Sequence, residues 1–378
     1  MLMLTFILTI LLVLSLMLGT FMASQIVYAA RHYRMRSIQT NKTVPIHKVP
    51  SITVCIPARN ETHAMTRCLE AIIASDYPKL EIIVLDDESV DNTSILIKSF
   101  ANSGVRFIKG RPLPDGWTGR NFAYQQLLDN ANGEYVLFIG VDTHLERNTI
   151  TQLMAYLQAK RVEMISVLPV RLDNYRLSVL FSPLRFLNEL VYNFAHNPPV
   201  TSNAWLAKRD LLDAYSDGGL KPYSDNVMSE QKIGQAFVLR KKYCFLISPM
   251  SGGVSYEKKW GSQVETSIRQ YALGVGSSLS ASLASLFVIL LYITPCVGTI
   301  LSIGLSQPVW LISTFCAAEL HMMLAYAFYT RMVWSKGSAV AFFLFPLLAV
   351  QELIIFIVGM YKKTTRTVAW KGRNIYTK

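Results

Sequence analysis

Two apolar ends bracket a stretch of ordinary charge, and no other feature limits this 378-residue chain so strongly. Met1 to Ala30 carries no charged side chain, nor does Tyr271 to Ala318, which breaks at Gln307-Pro308. A third run spans Gly337 to Tyr361 and is interrupted by Glu352. A bilayer core takes roughly 20 apolar residues as a helix, so each run is long enough to meet it. Arg31, Arg34 and Arg36 follow the first run. A cleaved signal peptide carries its basic residues ahead of a shorter core, so an uncleaved anchor is expected, with the following domain in the cytoplasm. The divisions expected are an anchor over 1–30, a basic linker over 31–50, a catalytic domain over 51–260, a membrane region over 261–361 and a basic tail over 362–378.

The tail sets a topological problem. Three full crossings after a cytoplasmic domain would leave Lys362, Lys363, Arg366, Lys371, Arg373 and Lys378 outside, against the usual bias of basic residues. One of the three C-terminal segments should therefore lie in the membrane or re-enter it, and composition does not say which. The formal charge of +12 also suits nucleic acid. Because the basic residues flank the apolar runs, an anionic leaflet and an anionic substrate are the better match, with no nucleic-acid partner. The five cysteines form no C-x-x-C pair and read as reduced thiols.

Between the ends, short β-branched runs alternate with helical spacing four times. Ser51–Ala58, Leu80–Asp87, "VRFIKG" and "EYVLFIGVD" read as buried strands. "ETHAMTRCLEAIIASD", "NTSILIKSFANSG" and "GRNFAYQQLLDNANG" read as helices between them. This order predicts an α/β fold, a mostly parallel sheet covered by helices, with ligands beyond the carboxyl ends of the strands. There stand Ala58 and Glu61, then Asp86 and Asp87, then "GRPLPDGWTGRN" with Arg120, then "GVDTH" with Asp142 and His144. Converging acids suit a divalent cation, and Arg120 at a helix start suits an anion. Singly each has a bland reading: a strand-end turn for Asp86-Asp87, an N-cap for Asp142, a solvated helix residue for Arg120, a satisfied polar histidine for His144. Their joint order carries the argument.

"ITVCIPARNE", "IIVLDDESVDNT" and "NGEYVLFIGVDTH" resemble the motifs of family 2 inverting glycosyltransferases, which have a Rossmann-like GT-A fold. The resemblance covers about Ser51 to Trp260. "LPDGWTGRNFA" and the terminal "AWKGRNIY" are similar to carotenoid- and hopanoid-associated membrane members. It implies a nucleotide-sugar donor, a UDP-hexose, and a lipid acceptor, a carotenoid carboxylate or other polyisoprenoid. By position, Ala58 and Glu61 would flank the nucleobase, Asp87 would bond it, and Arg120 would stand near the phosphates. Asp142, with His144, would hold Mg²⁺ or Mn²⁺. The family's first Asp of Asp-x-Asp is Gly140 here, and its Glu-Asp pair aligns with Ser229-Glu230, leaving Glu230 as the expected base. These two departures also admit a catalytically weak relative that binds a nucleotide sugar or serves assembly. "YRLSVLFSPLRFLNELVYNFAHNPP", 175–199, reads as a helix in the membrane interface, with a buried core helix as the alternative.

Overall fold

The computed structural model describes residues 2–35, 49–173, 177–192, 199–216, 218–274, 278–334, 338–371 and 373–374. A long helix opens the chain, α1 (Leu2–His32). The expected alternation follows: β1 (Ile52–Ala58), α2 (Thr62–Ile73), β2 (Leu80–Asp86), α3 (Thr93–Ser99), β3 (Val105–Lys109), α4 (Gly119–Asn130) and β4 (Tyr135–Ile139). Apolar spacing drives it. Met65, Cys68, Leu69 and Ile72 form the one buried face of α2, and β1 is buried at every position but one.

After β4 come β5 (Thr143–Leu145), α5 (Thr149–Lys160), β6 (Met164–Leu168), β7 (Val170–Arg171), α6 (Arg185–Val191), β8 (Ala204–Lys208), α7 (Arg209–Ser216), α8 (Ser229–Leu239), β9 (Tyr243–Ile247) and β10 (Val254–Tyr256). Seven strands form one sheet in the order β3-β2-β1-β4-β8-β6-β9. β1 to β4 run parallel, while β8 is antiparallel to both its neighbours. The winding reverses at β1 and β4, which opens a crevice beyond their carboxyl ends. Tyr33 and Met35, just past α1, exchange backbone hydrogen bonds with Ile247 at 2.7 and 2.9 Å, so the end of α1 is tied directly to the edge strand β9.

The remaining helices are α9 (Trp260–Arg269), followed by a π turn over 270–274, then α10 (Leu279–Gly304), α11 (Val309–Val333) and α12 (Ser338–Thr364). A small hairpin, β11 (Ala369–Trp370) and β12 (Arg373–Asn374), follows. Among the described residues four helices are long and apolar enough to cross a membrane: α1, α10, α11 and α12. Thr5 Oγ1 donates to Gln307 Oε1 at 2.6 Å, which places the first turn of α1 beside the α10–α11 turn. Leu8 and Leu12 pack on Leu311 and Phe315, and Gly298 lets α10 approach the Phe315 ring so closely that a Cβ would sit 2.5 Å from it.

α12 behaves differently. Its Glu352 is fully buried, accepting from the Leu184 amide at 2.9 Å and the Tyr271 hydroxyl at 2.6 Å. Gln351 donates to the Phe181 carbonyl at 3.2 Å, and Gly359 abuts Ile268 and Tyr271. The costly carboxylate in this run thus has protein partners, as such a group in an apolar segment must. Of the expected interfacial segment, 177–192 is described. Its helix is the short α6, whose Phe186, Leu187, Leu190 and Val191 are buried in the same cluster as Met22, Tyr326 and Phe345 of the long helices.

Candidate active site

The crevice is built on strand ends. Ala58 closes β1, and its carbonyl accepts from the Asp87 amide at 2.8 Å, which joins the first two loops. The two aspartates divide the work. The Asp86 carboxylate is used internally, accepting from Ser94 Oγ and from the Ser89 amide at 3.3 Å. Asp87, also buried, faces Arg59 at 3.9 Å. Gly110 permits this turn, because a Cβ there would lie 2.7 Å from the Asp86 carbonyl oxygen.

Glu61 sits just after β1, and the Lys371 ammonium donates to its Oε1 at 2.7 Å. Burial pushes the Glu61 carboxyl up, opposed by Lys371; Asp142 adds to the rise and Lys258 opposes it. Glu61 and Asp142 thus share one electrostatic neighbourhood, as do Asp142, Arg120 and Glu230 around the buried Tyr124.

Arg120 opens α4, and its Nη2 donates to the Val227 carbonyl at 2.6 Å and to Glu230 Oε2 at 3.1 Å. Glu230 lies in the first turn of α8 and is 3% exposed; its Oε1 is buried with no hydrogen-bond partner among the described residues. Asn121 holds the two helix starts together. Fully buried, its amide donates to the carbonyls of Tyr223, Ser224 and Asn226 at 2.7 to 3.1 Å, and its oxygen accepts from Ser229 Oγ at 2.8 Å. Sequence reasoning missed Asn121. The available signal was weak: an amide residue directly after Arg120 at a helix start, in a helix that also carries Gln125 and Gln126.

Asp142 follows β4. Its Oδ2 lies 3.3 Å from the Lys258 ammonium, and its Oδ1 occupies the space a side chain at 140 would take, 2.7 Å from a Cβ built on Gly140. The departure from Asp-x-Asp is therefore matched by the rotamer of the remaining aspartate. His144, two residues on, pairs with Glu257 at 3.2 Å, and Glu257 also binds Arg67 at 2.9 Å. Burial pushes the imidazole below its ordinary value, Arg67 adding to the drop and Glu257 opposing it. Among the described residues no three His, Cys, Asp or Glu converge on a point that could hold an ion. What the chain offers a divalent cation is the Asp142 carboxylate, with Glu61 and His144 in its field. That fits a hard ion that takes most of its oxygens from a diphosphate and water.

A cavity of about 340 Å³ opens beside α8. Arg185, Glu189 and Gln270 line its polar wall, Met228 and Gln231 come from the start of α8, and Val288 and Ile289 of α10 form an apolar wall. Arg269 stands near, its guanidinium pushed down to about 9 by burial and by Arg120 and Arg185. The cavity lies between α6, whose Glu189 feels the charge of Glu230, and α10, a helix long and apolar enough to cross a bilayer.

A sheet wound in opposite directions from β1 and β4, with a carboxylate-bearing turn after β4, is a GT-A-like fold. Residues 53–215 match Glycosyl transferase family 2, and this chain is a glycosyltransferase carrying that family's domain beside four helices long and apolar enough to cross a membrane. It is 24% identical over 336 residues to the 4,4'-diaponeurosporenoate glycosyltransferase of Staphylococcus aureus, covering 85% of this chain and 88% of that one. The glycosyltransferase GlyA of Streptococcus pneumoniae is 29% identical over 102 residues, 27% of this chain and 14% of that one. Among solved structures, the mannosyltransferase PcManGT of Pyrobaculum calidifontis, in complex with GDP-mannose and Mn²⁺, superposes with a TM-score of 0.56 at 17% identity. The match covers 95% of this chain and 98% of that one, and bears on the fold.

Proposed function

We propose that this enzyme transfers a hexose from a UDP-sugar, with inversion, to a lipid acceptor at the cytoplasmic face of a cell membrane, the acceptor being a carotenoid carboxylate or another polyisoprenoid. One observation carries the reading. The Arg120–Glu230 pair shares the field around Tyr124 with Asp142, and Glu230 also acts on Glu189, a lining residue of the cavity walled by α10. On this reading Ala58, Glu61 and Asp87 would receive the nucleoside, and Arg120 would steady the diphosphate. Asp142, with His144 behind it, would hold Mg²⁺ or Mn²⁺, which when bound neutralises the departing diphosphate.

An acceptor oxygen attacks the anomeric carbon, and the bond from that carbon to the diphosphate oxygen breaks. If the acceptor is an alcohol, Glu230 takes its proton. A carboxylate acceptor is already ionised and asks Glu230 only to orient it. Arg185 and Arg269 near the cavity suit an anionic head, and Val288 and Ile289 an apolar chain. The anchor α1 and the basic flank at Arg31 support the cytoplasmic side. Gly140 and Ser229 favour a second reading, a weak or inactive relative that binds donor without turnover.

Lipid extracts of a host with and without the protein, compared by mass spectrometry, test the acceptor. A glycosylated lipid that disappears with Glu230→Gln supports the enzyme. Calorimetric binding of UDP plus Mn²⁺ with no such lipid supports the second reading.

A further inference from the structure

We infer that Lys371 is a positioning residue of the donor site: the chain beyond α12 returns to the catalytic side of the membrane, and its ammonium holds Glu61 at the mouth of the crevice for the nucleoside half of the donor. The inference rests on the donor site proposed above and adds a segment that the family's sequence motifs leave without a role.

The path of α12 comes first. The last turns of α11 lie on the catalytic side, where Tyr329, Thr330 and Val333 meet Ser182, Leu184 and Leu187. α12 starts from there. Midway it is bound to Phe181 and Leu184, and near its end Gly359 still touches Ile268 and Tyr271. In its first half the Phe345 ring lies 5.4 Å from that of Tyr326, beside that same cluster, and a helix that stays against the catalytic side from there to its last turns does not cross. α1, α10 and α11 are the crossing segments, with Thr5 and Gln307 together at the far end. This resolves the topological problem of the basic tail, and α12 is the segment that lies along the interface.

The tail comes second. Past α12, Val368 is buried and the β11–β12 hairpin turns at Lys371, whose φ is +48°. The turn aims the side chain at Glu61, 310 residues away in sequence, and closes the 2.7 Å contact. The Glu61 and Lys371 side chains are 27% and 33% exposed, so the pair sits at a rim open to a ligand. With Lys258 on Asp142, two lysines flank the two crevice acids. Without Lys371, Glu61 would face the negative charge of Asp142 with one cation fewer, and a nucleoside diphosphate would meet a looser, more repulsive rim.

The test uses the full chain in lipid nanodiscs. Glu61→Cys with Lys371→Cys, treated with a short bismaleimide, should give a crosslinked peptide by mass spectrometry, independent of activity. Its absence would overturn the placement of the tail. Calorimetry with UDP plus Mn²⁺ should show Lys371→Met binding about fivefold more weakly than the parent, as an exposed ion pair allows, with Lys371→Arg close to the parent. In turnover the same variant should raise the donor KM and leave kcat unchanged. Equal binding by Lys371→Met and the parent would sink the inference alone. A parent that binds neither UDP nor GDP would sink the donor-site reading and this inference with it.

Discussion

Arg120 Nη2 lies 3.1 Å from Glu230 Oε2, which joins the first turn of α4 to the first turn of α8 across 110 residues of sequence. The contact welds the group expected near phosphates to the group expected to handle the acceptor. Its two members should fail differently. Glu230→Gln keeps the shape and a hydrogen bond, so membrane insertion and melting should hold while turnover falls by about 100-fold for an alcohol acceptor. Little loss would mean a carboxylate acceptor or an inactive base. Arg120→Ala strands a buried carboxylate and should cost up to about 3 kcal/mol of stability as well as activity, read as a drop in Tm.

Asn121→Ala removes the donor to three carbonyls and the acceptor for Ser229. We expect a loss of about 2 to 3 kcal/mol from the unsatisfied groups left behind. Activity should fall further than stability explains, because Glu230 moves with the start of α8. Thermal melting beside a donor-hydrolysis assay separates the two effects.

Asp142→Ala should abolish transfer from a radiolabelled donor while the protein stays in the membrane. Gly140→Ala is the subtler variant. Its Cβ would meet the Asp142 carboxylate at 2.7 Å and turn it away. We expect about a tenfold loss that added Mn²⁺ partly restores if Asp142 binds the ion. A loss that Mn²⁺ does not change would separate Asp142 from the cation.

The Glu61 carboxyl is raised above its ordinary value of 4.5 by burial, with Asp142 adding to the rise and Lys371 and Lys258 opposing it. A folded-state pKa above the unfolded one means that the folded chain holds a proton the unfolded chain has released. That contribution to stability is full below about pH 4.5 and is lost as pH rises through the folded value. Lys371→Met removes an opposing cation and should shift the window upward. Melting curves of the two proteins between pH 4 and 7 would show it, and coincident curves would count against the ion pair.

The first half of the sheet was legible because each strand from β1 to β4 is a dense β-branched run between helices of clear period. The second half was not. β6 and β8 run in opposite directions and pair although α6 lies between them in sequence, so no local alternation announces them. Asp87, Asp142 and Arg120 could be named because strand ends collect ligand groups. The pairings were not legible: Glu230 was named from the resemblance without its contact to Arg120, and Lys258 on Asp142 and Lys371 on Glu61 arrive from distant segments. The path of α12 was hidden for another reason. Apolar composition is the same whether the neighbour is lipid or the underside of a domain, and only the contacts of Gln351, Glu352 and Gly359 tell them apart.

The hairpin after α12 also decides where the molecule can be handled. The turn at Lys371 grips Glu61 only seven residues before Lys378, so on the donor site proposed above a purification tag or fluorescent reporter fused there would load the doorway for donor. The opposite terminus, beside Gln307 at the far end of the helices, is the neutral place for such cargo.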